Sequence, residues 1–248
     1  MFTYFWDTKF TIPDGYGFSQ FSLMHIAELL LCALLCYICA KSYVKKDENG
    51  RMKMLKVIAV LLVIDEIAKY AVTAACGNFR VDFLPFHLCS INIFVIAAYV
   101  LHPDERLAEW LYAGCLPTAI IALLCPSWAS LPVMNFMHLH SLSCHILLTM
   151  FPVLLLTGGF RPKLKRFLSD LPYAVPVVIF VYIFNKIFGT NFMFLNGGST
   201  GGTGNPLSFL ETYLGSFYLL GIPAIAVILY TVVYGIPYLI SKRKVKTI

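Results

Sequence analysis

Residues 21–56, FSLMHIAELLLCALLCYICAKSYVKKDENGRMKMLK, hold the two signals that decide the fold. Positions 21–40 form an apolar run in which only His25 and Glu28 are ionisable. The hydrocarbon core of a bilayer needs roughly 20 apolar residues per helix, so this run reads as a membrane-spanning helix. Positions 41–56 then carry six Lys and Arg, the excess that marks a short cytoplasmic loop.

The same alternation repeats along the chain. Apolar stretches lie near 21–40, 54–76, 84–101, 107–125, 135–157, 170–188 and 213–240. Lys and Arg fall in loop 41–56, loop 102–106, loop 158–166 and tail 241–248, fifteen on one side, against Lys9 and Arg80 on the other. The expected class is therefore all-α, a polytopic membrane protein of about seven transmembrane helices. Its N-terminus is expected outside and its C-terminus in the cytoplasm, with 1–248 as a single transmembrane domain in the cell membrane. Composition agrees: 59% of the 248 residues are apolar and 13% are charged, where an average soluble domain has roughly 25%. The net charge of +6 thus reports topology, and no nucleic-acid partner is expected. The first apolar run lacks a basic region before it, so no secretory signal is read, and neither end carries a lipidation signature.

Six of the eight cysteines (Cys32, Cys36, Cys39, Cys89, Cys115, Cys144) lie inside apolar stretches, where they act as small hydrophobes and imply no disulfide framework. Pro117, Pro152, Pro176, Pro223 and Pro237 fall within spans and predict kinked helices with room for a cavity. NGGSTGGTGNP at 196–206 reads as a flexible external loop. No internal repeat is visible.

Polar residues inside the spans are the functional candidates, because an ionisable group at membrane depth costs roughly 2.5–3.5 kcal/mol to insert. Span 1 places His25, Glu28, Cys32 and Cys36 on one stripe. Span 2 carries Asp65, Glu66 and Lys69, with Asp65 and Lys69 spaced i,i+4 in the favourable order for an ion pair. Span 3 opens with LPFHLCSIN, bringing His87, Cys89, Ser90 and Asn92 to its first turns. Span 5 aligns His138, Ser141, His145 and Thr149, with His140 turned elsewhere, toward the interface. Span 6 ends in Asn185 and Lys186, followed by Asn191. These groups fall in the outer halves of their helices while the inner halves are nearly bare. That asymmetry fits a site open to the outer leaflet and not a channel, which needs polar residues at every depth.

Two structural readings stand beside the functional one: Asp65 with Lys69 as a packing pair, and His25 with Glu28 as an internal hydrogen bond. His87 and Cys89 are two residues apart on different helix faces, so the base for such a thiol must come from another helix.

The motifs LPFHLCS (84–90), NKIFGTNFMFL (185–195) and NPLSFLETYLG (205–215), with His25, His138 and His145 on their spans, resemble the bacterial YwaF-like integral membrane proteins over nearly the whole chain. At the outer end of the last span relatives carry a Trp-Pro-Trp cluster where this chain has GSFYL (215–219). More distantly the chain is similar to the eukaryotic transmembrane protein 164 family, described as acyltransferases acting on ether phospholipids through a cysteine nucleophile. There the cysteine directly precedes the histidine, and the matching position here is Phe86. The resemblance implies an acyltransferase or hydrolase for a lipid or lipid-linked substrate at the outer leaflet. His87 would be the general base, Cys89 or a water the nucleophile, and His145 a second acid-base or orienting group. Asn185, Lys186 or Asn191 would stabilise the anion, with Asp65, Glu66 and Lys69 supporting. No cofactor is expected. A zinc alternative would use His87, His138 and His145 with Glu28 or Asp65, without any short metal-binding spacing. Membrane lipids and an acyl donor are the expected partners. The rival reading is a lipid or solute binding or transport protein with an outward polar cavity and no catalysis, and an assembly factor is a third.

Overall fold

The computed structural model describes residues 3–196 and 208–245, the side chains of 208–209 and 236–245 excepted. From residue 197 the glycine-rich loop lies outside the described residues, as do the last residues of the basic tail. The elements are α1 (Leu23–Tyr43), α2 (Glu48–Ala75), α3 (Leu88–Leu101), α4 (Glu105–Trp110), α5 (Leu116–Leu124), α6 (Phe136–Thr157), α7 (Leu164–Phe188), α8 (Ser208–Leu214) and α9 (Tyr218–Val245). The class is all-α.

Five helical stretches among the described residues are long and apolar enough to cross a membrane: Leu23–Tyr43, Glu105–Leu124, Phe136–Thr157, Leu164–Phe188 and Leu210–Gly235. Seven were expected. The second expected span is present as the 28-residue α2 but carries Asp65, Glu66 and Lys69 within its apolar part. The third is the 14-residue α3, because LPFH at 84–87 forms a turn instead of the first helical turn. Large apolar side chains such as Leu30 (64%), Ile67 (60%), Ile187 (69%) and Val227 (67%) are exposed in numbers no soluble monomer sustains. They face lipid.

Asp47 caps α2 by accepting from Gly50 N at 2.9 Å, so the helix starts inside the charged stretch read as loop, leaving only residues 44–47 as connection. α4 and α5 are joined by a single π-helical turn, Leu111–Cys115, every residue of which is buried. Pro117 follows it and has no N–H for the carbonyl of Ala113. Thr118 Oγ1 reaches back to Gly114 O and Cys115 O at 2.6 and 3.0 Å, closing the widened turn. α6 and α7 run on through Pro152 and through Pro172 and Pro176.

α6 is the central helix. In its apolar stretch 61% is buried, against 11% for α7. Its Cys144, Leu148, Phe151 and Leu154 join Ile58, Leu62, Ile93, Ile96 and Leu111 from α2, α3 and the π turn in the main core. α1 and α5 pack chiefly on α6, α2 packs on both α3 and α6, and α1 and α2 touch each other little. α7 and α9 are held at one end through Phe167, Tyr230 and Tyr234, against Tyr112. The N-terminal segment folds over the end of the bundle at which α6 starts. Asn135, buried at the start of α6, donates to Tyr4 O and Asp7 O at 2.6 and 2.9 Å while its Oδ1 caps the helix. The eight cysteines are free.

Candidate functional site

Because α6 is surrounded, its three histidines meet three different neighbours. His138 Nε2 lies 2.8 Å from Glu28 Oε1 on α1, with both side chains buried. His25 does not bond Glu28, as its residue spacing suggested. Its Nδ1 accepts from Phe21 N at 2.8 Å and its Nε2 meets Leu123 O at 2.7 Å. His140, expected at the interface, is buried and turned to α2, with Nδ1 at 3.1 Å from Asp65 Oδ2 and Nε2 at 4.0 Å from Glu66 Oε2. His145 Nδ1 lies 2.7 Å from Ser141 O, and its ring stacks on Trp128 of the α5–α6 connection at 4.9 Å.

The ion pair on α2 is also different from the expected one. Lys69 Nζ binds Glu66 Oε1 at 2.6 Å, and Tyr70 OH donates to the same oxygen at 2.5 Å. Asp65 faces the α6 side, accepting from Ser143 Oγ at 3.1 Å. The physical reason is reach: the longer Glu66 side chain meets Lys69 one turn on, while Asp65 has histidine and serine partners on α6 that spacing along α2 does not reveal. A double-mutant cycle checks this. Glu66→Gln with Lys69→Met should couple by about 1–3 kcal/mol, whereas Asp65→Asn with Lys69→Met should be additive within about 0.5 kcal/mol. Thermal unfolding of the purified variants measures both.

α3 begins at Leu88, with His87 at its N-cap in extended conformation. The ring does not cap the helix. Met193 N donates to His87 Nδ1 at 3.4 Å, and the ring lies between Phe192 and Phe194, at 5.0 and 5.9 Å. Phe86 points the other way, packing on Phe180, Phe184 and Phe192. The two motifs LPFHLCS and NKIFGTNFMFL are thus one structural unit. Asn185 builds it: Nδ2 donates to Phe192 O at 2.9 Å, and Oδ1 accepts from Thr190 Oγ1 and Phe192 N at 2.8 and 2.9 Å. Asn191 Oδ1 accepts from Asn196 N. Met193 and Phe194 are held at φ 53° and 58°, a left-handed backbone that costs about 1–3 kcal/mol per residue and persists only where neighbours enforce it. Lys186 is exposed beside the Tyr182 ring.

Cys89, half-buried, sits within electrostatic reach of Lys69 and Glu66. His87 is in reach of Lys69, Lys9, Asp82 and His145, and His145 of Asp65 and His140. The polar residues at this end of α2, α3 and α6 therefore lie within electrostatic reach of one another, as one cluster. Glu28 and His138 form a second one between α1 and α6, with His25 one turn before Glu28 tied to Leu123 O of α5. Asn92 belongs to neither. Fully buried, its Oδ1 accepts from Trp110 Nε1 at 3.0 Å beside the π turn, and its Nδ2 has no partner. Glu28 is engaged with His138 and Asp65 with His140, and no three of His, Cys, Asp and Glu converge on one point among the described residues. The zinc set is not assembled.

The family model described as the TMEM164 family matches residues 16–234, most of the chain. This chain belongs to the TMEM164 family. No curated protein and no solved structure matches it. In this TMEM164 family member the matched stretch contains both polar clusters and both loops of the His87 unit.

Trp128, Ser143 and Tyr70 complete the cluster and were not singled out in the sequence. Trp128 lay in an outer loop and Tyr70 beside an ion pair assigned to other partners, so neither carried a signal. The buried Glu109, discussed below, stood in a span but near its edge, where an acid passes for a solvated residue.

Proposed function

We propose that the protein is a membrane-embedded acyltransferase or hydrolase acting on a lipid or lipid-linked substrate at the outer leaflet, and that it belongs to the bacterial YwaF-like branch of its family. The chain crosses seven times in this reading, N-terminus out and C-terminus in. α2 hides its charges in the cluster. α3 covers roughly 21 Å and the LPFH turn fills the remaining outer depth. The fifteen-to-two distribution of Lys and Arg sets the direction.

The observation that carries the activity is the opposite proton arrangement of two neighbouring histidines. A carbonyl only accepts, so His145 Nδ1 carries the proton it gives to Ser141 O, and Nε2 of the neutral ring holds a lone pair. His87 Nδ1 accepts from Met193 N, so its proton sits on Nε2. One ring is poised to take a proton and the other to donate a hydrogen bond. We therefore assign His145 as the general base, directly or through one water, and His87 with Lys69 as donors to the developing oxyanion. Cys89 is the nucleophile, giving its proton to that base as it attacks, and Glu66, Asp65 and His140 hold Lys69 and the α6 face in place. Asn185 and Asn191 position His87 by building the loop against it. His138 and Glu28 fix α1 to α6, and His25 fixes α1 to α5.

The test is capture of the intermediate. Purified protein in liposomes holding a phospholipid with a labelled acyl chain should acquire label as a thioester released by neutral hydroxylamine. Cys89→Ser should not acquire it. Labelled free fatty acid or transferred product without labelled protein would replace Cys89 by water. Bound lipid recovered unchanged would favour the binding reading.

A further inference from the structure

The end of the bundle remote from His87 carries a second groove, ≈ 400 Å³, between α1, α2 and α6, within the range of small-ligand sites. Its walls are apolar: Cys39 from α1, Met54, Val57, Ile58 and Leu61 from α2, and Leu147 and Met150 from α6. It exists because α1 and α2 pack on α6 more than on each other. Two charged residues line it, Lys46 and Lys53, and no acid does. Lys46 lines the groove beside Gly50, where an added Cβ would come within 3.1 Å of the Lys46 stem. Neither lysine has an acidic partner among the described residues. Asp47, the acid beside Lys46, accepts from Gly50 N.

We propose that this groove seats one anionic phospholipid, an acyl chain lying against Met54, Leu61 and Met150 and the phosphate held by Lys46 and Lys53. Unpaired ammonium groups above a lipid-deep apolar wall match the two halves of such a molecule, and a zwitterionic lipid would bring its own cation against them. The site is separate from the His87 cluster and does not depend on the proposed chemistry there.

The experiment uses the full chain in neutral detergent at 0.15 M salt, where charges beyond roughly 8 Å are screened. Native mass spectrometry counts bound phosphatidylglycerol against phosphatidylcholine. The wild type should retain the first in preference. Lys46→Gln with Lys53→Gln should lower that retention roughly twenty-five-fold, the effect of two contacts of about five-fold each. Lys45→Gln with Lys56→Gln, which removes equal charge from exposed positions of the same region, should lower it less than about three-fold. Val57→Trp, at a 58% exposed wall position, fills the groove without entering the core and should abolish retention with both lysines intact. Equal losses in the two lysine pairs, full retention in Lys46→Gln with Lys53→Gln, or full retention in Val57→Trp would each overturn the site.

Discussion

Replacing His145 by Gln should lower lipid turnover by about 10² to 10⁴-fold, the range that proton transfer by a positioned side chain contributes. Glutamine keeps the volume beside Trp128 but has no lone pair that takes a proton at this pH. His87→Gln makes the informative comparison. If His87 only donates a hydrogen bond to an oxyanion, its loss costs about 10² to 10³-fold and leaves the shape of the pH dependence unchanged. His145→Gln should instead erase the acidic limb of the kcat/KM profile, because that limb reports the base becoming protonated. Steady-state turnover of a labelled phospholipid across pH separates the two. A His145→Gln profile that keeps its acidic limb would return the base to another group.

The second large effect is on stability, at Glu109. This carboxylate is fully buried and accepts from Tyr234 OH at 2.7 Å, from Lys163 N at 2.9 and 3.0 Å, and from Arg166 Nη1 at 3.0 Å. One side chain thereby ties α4 to the start of α7 and to α9. Glu109→Gln takes from the Arg166 cation its buried partner, leaving it only the exposed Glu105, and turns an amide N–H toward the Lys163 N–H. Breaking a buried pair from one side costs about 3–5 kcal/mol. The variant should unfold that much more readily in thermal or denaturant titration, while turnover per folded molecule stays near the wild type because the His87 cluster lies at the opposite end. A loss below about 1 kcal/mol would show that α7 and α9 are held by packing alone.

The long apolar helices were legible because a span announces itself by length and composition, and Leu23–Tyr43, Phe136–Thr157 and Leu164–Phe188 lie close to where hydropathy placed them. Edges were not. KKDENGRMKMLK is charged enough to read as loop, yet Asp47 starts a helix there, and LPFH is apolar enough to read as helix, yet Pro85 sits in a turn. Within the site the residue types were found and the partners were not. Pairings drawn along one helix joined Asp65 to Lys69 and His25 to Glu28, while the folded chain pairs across helices, Asp65 with His140 and Glu28 with His138. A single-stripe view of α6 also sent His140 outward, though a helix packed on several sides has more than one interior face. Spacing says which groups share a face. It says nothing of what stands opposite.

The π turn at Leu111–Cys115 has a consequence for how the Glu105–Leu124 stretch keeps its two halves in register. A π turn holds one residue more than the α-helical count, and one residue corresponds to about 100° of rotation. Upstream, the turn aims Trp110 at Asn92; downstream, it leaves Ala119 and Leu123 in the core beside α6. A uniform helix through the same end points would satisfy one set and misalign the other. What this turn maintains is a phase offset, a property of the number of residues between two contacts, so that α3 and α6 can each read their own face of a single crossing.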